Sequence, residues 1–509
     1  MSTSSLAQAI DIYRRELPRG RLLEFSLTPL DRVGIPVQAL TFLSAFDPAD
    51  APHPWGLCEG IGYGLTVEEA TVGAFGELTE EVSSGRGVGR LERVTASYQE
   101  MLAKHGERAV VDPAALCLEA GSPYRPDTVL EWTPVRRWAT GEAVFVPVEF
   151  VACSGMDVPP REGVSRLVTP ITNGHGAGTT REMAVAHGLL ELLQRDGNSV
   201  QYRALASGTA VDPATVDDPF ARNLLDRYDA AGIDVFIKVA ATDFGCVDLY
   251  VVGHDRAQVP GGLPVTAAAC GEAVHPVAVV ALRKALLEFA SSRARLALFH
   301  GPLDMVKSVV PEGYLEAYRA MVNPADEEGR GLAGMQRWLR LSLAEMKALL
   351  APVFRVDGLI SFADLPSAAV PDVAANKAAL LAEVSARLAA EGMEMLVADL
   401  SPPGEGGVHM VKVIVPGLEV ETMSYHRVGA RNLRRLLARQ AAEPGFPTLA
   451  GIGAPPQGAE PVLLTAAGRA ALGGDAWLGT AALDALMADL YVLYREPSRH
   501  VTAFSLEVS

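Results

Sequence analysis

The sequence predicts a chain of mixed helices and strands, and three observations predict it. Runs of β type such as AVFVPVEFVA (Ala143–Ala152) recur along the chain, bounded by turn residues. Amphipathic helical stretches stand between them. A segment of small residues, followed by a helix with acids on one face, occurs three times.

In chain order, Ser4–Glu16 reads as a short amphipathic helix, and LEFSLTP and GIPVQALTFLS read as strands. Ala51–Pro54 is a proline-containing loop. CEGIGYGLT (Cys58–Thr66) reads as a glycine-rich turn, and Thr66 with Glu69 makes a capping box for a helix over Val67–Ser83. On that helix Glu77, Glu80 and Glu81 project to one side with Gly73. Clustered carboxylates repel unless a cation sits among them, or unless the face is simply solvated. Gly73 and Gly76 each cost about 1 kcal/mol relative to Ala in mid-helix and so need a packing reason. Arg90–Asp127 is mostly polar helix and loop, and Val129–Ala152 holds two strands.

The longest informative stretch is TNGHGAGTTREMAVAHGLLELLQRDG (Thr172–Gly197). Gly174, Gly176 and Gly178 read as a turn, and Thr179 with Glu182 has the spacing of a capping box. Val185, Leu189, Leu192 and Leu193 fall on one helical face. His187, Glu191, Gln194 and Arg195 fall on the other, a stripe suited to a metal ion and phosphates, or to plain solvent. Further on, Asp218–Ala231 reads as a helix, and FIKVAA and VDLYVVGHD as strands. LPVTAAACGEAV is the third small-residue segment, before a helix over Pro276–Ala294. There Lys284, Glu288, Ser291 and Ser292 share a face, with an ordinary Lys284–Glu288 pair as the plainest explanation. Met305–Ser361 is a helical block of insertion type, Asn376–Gly392 a helix, MLVADLS and HMVKVIVPG strands. Beyond Pro447 a single helix is expected, Ala481–Tyr494. Helices bearing Glu77/Glu80, Glu191 and Glu288 toward one point would form an anionic basin for Mg2+.

With 509 residues, 49% of them hydrophobic, the chain can bury a sizeable core. A net charge of −17 argues against nucleic acid or an anionic membrane as the main partner. No uncharged apolar run approaches membrane-spanning length, and the N-terminus lacks the marks of a signal peptide. The expected location is the cytoplasm. Cys58, Cys117, Cys153, Cys246 and Cys270 are odd in number and widely spaced, so each is expected as a small buried hydrophobe rather than a zinc or disulfide residue.

Over about residues 24–425 the chain resembles the YcaO family. LTPLDRVGIPVQAL is similar to that family's opening strand, and GYGLTVEEATVGAFGELTEE to its first nucleotide motif. Thr172–Gly197 resembles the second motif, ALRKALLEFASSR the third, and VKVIVPGLE a late core strand. The resemblance implies an α+β fold in which the helices of the three motifs converge on a nucleotide site between sheets. It implies a domain over residues 1–430, with 305–361 inserted, and a C-terminal extension over 431–509. It implies ATP and Mg2+ as cofactors, and phosphorylation of a peptide-backbone amide oxygen that leads to an azoline, thioamide or amidine. Carried over by position, Glu77, Glu80, Glu191 and Glu288 are metal ligands, and Thr179, Gln194, Lys284 and the first and last of those acids line the nucleotide. Glu191 and Arg195 are the working pair. The partners implied are a peptide or protein substrate, a sulfur-delivery or peptide-presenting protein, and a second copy of the chain.

The chain also departs from the family pattern. Gly73 stands where Ser is usual, Glu81 for Arg, Tyr63 for Lys, Thr179 for Asn, Met183 for Glu and Lys284 for Arg. These departures support an alternative, a non-catalytic homologue that binds or scaffolds a modifying enzyme. A third reading, amide cleavage with His175 or His187 as base, finds no Cys or Ser linked to either by spacing.

Overall fold

The computed structural model describes residues 3–44, 57–199, 205–367, 376–404, 407–419 and 425–508. Helices and strands mix as expected. The chain forms two compact units, the first gathering Met1–Val82, Arg203–Ala375 and Asp489–Ser509, the second Ser83–Tyr202 and Asn376–Ala488.

The three small-residue segments are strands, not turns, and each runs into its helix. Strand β1 (Leu57–Tyr63) precedes helix α1 (Val67–Gly89), β2 (His175–Gly178) precedes α2 (Arg181–Asn198), and β3 (Cys270–His275) precedes α3 (Ala278–His300). A glycine in each strand lies against the helix backbone. A Cβ at Gly62 would stand 2.0 Å from the Ala70 carbonyl oxygen, at Gly176 2.0 Å from that of Ala184, and at Gly271 2.1 Å from that of Ala285. The glycines therefore serve close strand–helix packing rather than chain reversal. The same approach explains Gly73, whose Cβ would come within 3.3 Å of the Gly62 Cα, but nothing lies within 4 Å of a Cβ at Gly76.

In the first unit, β1 closes a three-stranded antiparallel sheet with Gly20–Ser26 and Val37–Ser44. A five-stranded sheet runs in the order β3, Val247–Asp255, Ile233–Ala241, Thr209–Val211, Gly358–Ile360, with its last pair parallel. Its core joins Ile237, Leu249 and Val251 of the sheet to Leu282, Leu286 and Phe289 of α3. Arg293 of α3 is 2% exposed and ion-paired to Asp31 and Asp255, so the buried guanidinium is compensated on two sides. The block Leu303–Phe354 is a series of short helices.

The second unit is built on a six-stranded sheet, with Val94–Ser97, Val129–Arg137, Leu396–Asp399, His409–Ile414 and β2 in order, and Ala143–Pro147 paired to Val129–Arg137. Trp132, fully buried, donates its indole N–H to the Ala96 carbonyl at 2.8 Å. The C-terminal region differs from the expected single helix. It forms a small sheet of Ala450–Ile452, Ala476–Leu478 and Glu460–Val462, with helices over Ala466–Leu472, Thr480–Leu486 and Val501–Val508.

Two boundaries shift as well. α1 and α3 each run six residues beyond the expected ends, to Gly89 and His300. The cap of α2 is Thr180, whose hydroxyl accepts from the Met183 N–H at 3.2 Å, and not Thr179. The expected loop Ala51–Pro54 lies outside the described residues.

Candidate functional site: carboxylates anchored to strand amides

Each helix places a carboxylate on a backbone N–H of the strand before it. In the first unit Ile61 N–H donates to Glu77 Oε2 at 2.8 Å and Glu59 N–H to Glu81 Oε2 at 2.7 Å. The match is geometric, because two strand residues and four helical residues both advance about 6–7 Å. In the second unit Gly174 N–H donates to Glu191 Oε2 at 2.9 Å. On α3, Glu272 N–H donates to Glu288 Oε2 at 3.3 Å. Three of the four acids expected as metal ligands, Glu77, Glu191 and Glu288, thus hold one fixed geometry relative to their strands. Glu80 does not share it: it is half-buried, and its charge adds to the burial that holds the Tyr13 hydroxyl protonated.

In the first unit Tyr63 lies between two of these acids. Its hydroxyl donates to Glu288 Oε2 at 3.1 Å. Burial, then the charges of Glu288 and Glu77, hold that hydroxyl well above its usual range, so it remains a donor. Lys284 is exposed and makes no ion pair among the described residues, so the expected Lys284–Glu288 pair is replaced by the bonds to Tyr63 and Glu272. Glu59 is a member of the site that spacing did not reveal. Its buried carboxylate meets Arg499 at 2.5 Å and accepts from Tyr314 at 2.9 Å and Thr41 at 3.0 Å. Arg499 comes from the last turn before the C-terminal helix, 440 residues along the chain. Arg499→Met is expected to destabilise the protein by about 3 kcal/mol, because it strands the Glu59 charge away from water. Urea unfolding of the two proteins measures the difference.

In the second unit Glu191 pairs with Arg195, Oε1 to Nη2 3.6 Å, as the carried-over roles require. Gln194 is buried, Thr179 is half-buried, and the Thr179 hydroxyl lies 3.5 Å from the Met183 sulfur. The next residue, Asp196, is a buried anchor, accepting from Glu419 N–H at 2.9 Å and paired with Arg431 at 2.5 Å. His187 is exposed, whereas His175 is buried with the Cys153 sulfur 3.0 Å from its Nε2. Spacing gave no sign of that contact. Burial pushes the Cys153 thiol up and the His175 imidazole down, the charge of Lys412 adding to the latter, so both are neutral and the pair is not an activated nucleophile. All five cysteines are free, and Cys58 and Cys153 are half-buried rather than core residues.

Among the described residues no three His, Cys, Asp or Glu groups form a ready-made metal cluster. Carboxylates held singly by strand amides, with oxygen donors only, do fit Mg2+, which takes few protein ligands and completes its shell with phosphate and water. No helix is long and apolar enough to cross a membrane.

Comparison with known proteins agrees with this geometry. Two curated relatives are similar over 80% of this chain, and both are described as uncharacterized. A protein of Methanothermobacter thermautotrophicus is 28% identical over 91% of its own length, and one in the tfuA 3' region of Rhizobium leguminosarum bv. trifolii is 26% identical over 85%. Among solved structures, the YcaO protein of Methanopyrus kandleri bound with AMPPCP and Mg2+ shares the fold, at TM-score 0.55, 22% identity, and 84% of this chain against 93% of that one. So does a heterocyclase in complex with substrate and cofactor, at TM-score 0.57 and 17% identity over 82% of this chain, which spans 53% of that longer protein. The family model described as YcaO cyclodehydratase, ATP- and Mg2+-binding, matches residues 61–419, a stretch that begins in β1 and ends just past the strand His409–Ile414, and on that match the chain belongs to the YcaO family.

Proposed function

We propose that this protein uses ATP and Mg2+ to activate a backbone amide of a peptide or protein, for conversion to an azoline, thioamide or amidine. The observation that carries the reading is the strand-anchored carboxylate, repeated at Glu77, Glu191 and Glu288 in a chain of the YcaO family. An amide oxygen is a poor leaving group, and as a phosphate ester it leaves readily. Mg2+ supplies neutralisation of phosphate charge when bound. The chain's own part is positioning: each strand N–H fixes one carboxylate oxygen, so orientation is set before ligand arrives. Arg195 holds the Glu191 carboxylate from its other oxygen. The solved YcaO relative bound with AMPPCP and Mg2+, and the heterocyclase with substrate and cofactor, support the same reading. A peptide-presenting or sulfur-delivering protein completes the proposed system.

The test is phosphate release from ATP with Mg2+ and a precursor peptide encoded beside the gene. Peptide-stimulated release with a mass change in the peptide is the expected result. Absence of release with every such peptide, alone or with neighbouring gene products, would overturn the proposal.

A second reading, a non-catalytic scaffold, is favoured by one observation: Thr179 and Met183 contact each other where the family pattern has an amide and a carboxylate. Thermal unfolding separates the two. ATP with Mg2+ at a hundred times its Kd stabilises a binding protein by about 2.7 kcal/mol. No rise in Tm at millimolar ATP and Mg2+ is the result expected of a scaffold.

A further inference from the structure

The second unit encloses a cavity of about 50 Å³ that the proposed chemistry does not use. A single water needs about 10–15 Å³ on this measure, so the space holds roughly four small groups. Its walls are mostly apolar, formed by Leu116, Phe150, Val168, Leu192 and Leu418, and Thr169 is its one exposed lining residue.

Two cations face this space. Lys412 is 4% exposed, and its ammonium donates to the Ile171 carbonyl; no carboxylate lies within ion-pair distance of it among the described residues. Arg427 is 7% exposed, donating to the Cys117 carbonyl at 2.9 Å and the Leu116 carbonyl at 3.0 Å, with its guanidinium 5.8 Å from the Phe150 ring centre. The one acid lining the cavity, Glu149, accepts from Leu167 N–H through both oxygens, at 2.9 and 3.0 Å. Burial pushes its carboxyl up to about 7, so at neutral pH it carries only part of a charge. Burial likewise brings Lys412 down to about 8, which still leaves it mostly charged at neutral pH.

The cavity is thus more cationic than its single acid can balance, and a buried ammonium without an ion pair is costly. An anion entering it would supply the missing charge. Its size and walls select which anion. Phosphate or sulfate would turn polar oxygens toward Leu192 and Val168, whereas a carboxylate has one polar end and one apolar end.

The geometry points to a binding site for a small aliphatic carboxylate, its head between Lys412 and Arg427 and its short chain against Leu192 and Leu418. The same chemistry is offered by a free acid or by the C-terminal carboxylate of a peptide with a small last residue. The site stands independently of the amide-activating reaction.

Isothermal titration of the full-length protein at constant ionic strength tests it with propionate, propionamide and phosphate. Propionate is expected to bind saturably, at least tenfold more tightly than either of the others. Lys412→Met, which keeps the shape and removes the charge, should weaken propionate at least tenfold. Val168→Phe, which keeps the charge and fills the space, should do the same, and it decides the matter should Lys412→Met fail to fold by circular dichroism. Triglycine with a free or an amidated C-terminus distinguishes the sources. Binding of the free form alone assigns the site to peptide termini, and binding of propionate but neither peptide assigns it to a free acid. The inference is overturned by the absence of saturable propionate binding, by equal binding of propionamide, or by propionate binding that the folded variants leave unchanged.

Discussion

Replacing Glu191 with Gln is expected to lower ATP-dependent phosphate release by at least about 10²-fold while leaving the fold intact. The amide oxygen of Gln can still accept from Gly174 N–H, now 2.9 Å from Glu191 Oε2, so the anchor of α2 to its strand survives. What disappears is the negative charge, and with it a hard ligand for Mg2+ and the partner of Arg195. The substitution therefore separates chemistry from architecture. Circular dichroism and urea unfolding should match the parent protein, and the loss should appear in kcat. A variant that releases phosphate at the parent rate would remove Glu191 from the site. The i,i+4 partner Arg195 is partly exposed, and the ion pair adds at most a few tenths of a kcal/mol to stability.

The second large effect is structural. Gly176→Ala should destabilise the protein by about 3 kcal/mol, the upper end of ordinary overpacking. The new Cβ would stand 2.0 Å from the Ala184 carbonyl oxygen, and that oxygen belongs to helix backbone with no rotamer by which to retreat. Strand and helix would have to separate, and the separation would also draw Glu191 off Gly174. Gly76→Ala in α1 is the internal control. Nothing lies within 4 Å of its Cβ, so Ala should stabilise the helix by about 0.5–1 kcal/mol. Urea unfolding curves for both variants should move in opposite directions. Equal shifts would show that close strand–helix approach is not what these glycines serve.

Much of this was legible in local sequence, and the limits are physical. The apolar face of α2 reads directly from helical spacing, and Val185, Leu189, Leu192 and Leu193 are all buried. The acids that matter also read from spacing. The glycine segments were misread as turns, because the reason for Gly in a strand is the backbone of another element, which no local pattern displays. The capping threonine was off by one residue, since Thr179 and Thr180 are chemically equivalent and only backbone geometry chooses between them. Glu59 with Arg499, and Cys153 with His175, are contacts between segments far apart or separated by loops, with no periodicity to betray them. Tyr63 was visible only as a departure from a family pattern, and its role as donor to Glu288 required the fold.

The account's central claim is that strand-anchored carboxylates hold a magnesium nucleotide. Calorimetric titration with AMPPCP, with and without Mg2+, on the parent protein and on Glu77→Gln and Glu288→Gln, tests it without needing the peptide substrate. The claim predicts binding that requires Mg2+ and that weakens at least tenfold in each variant while the fold is unchanged. No binding by the parent protein, or binding indifferent to Mg2+ and to both substitutions, would contradict it.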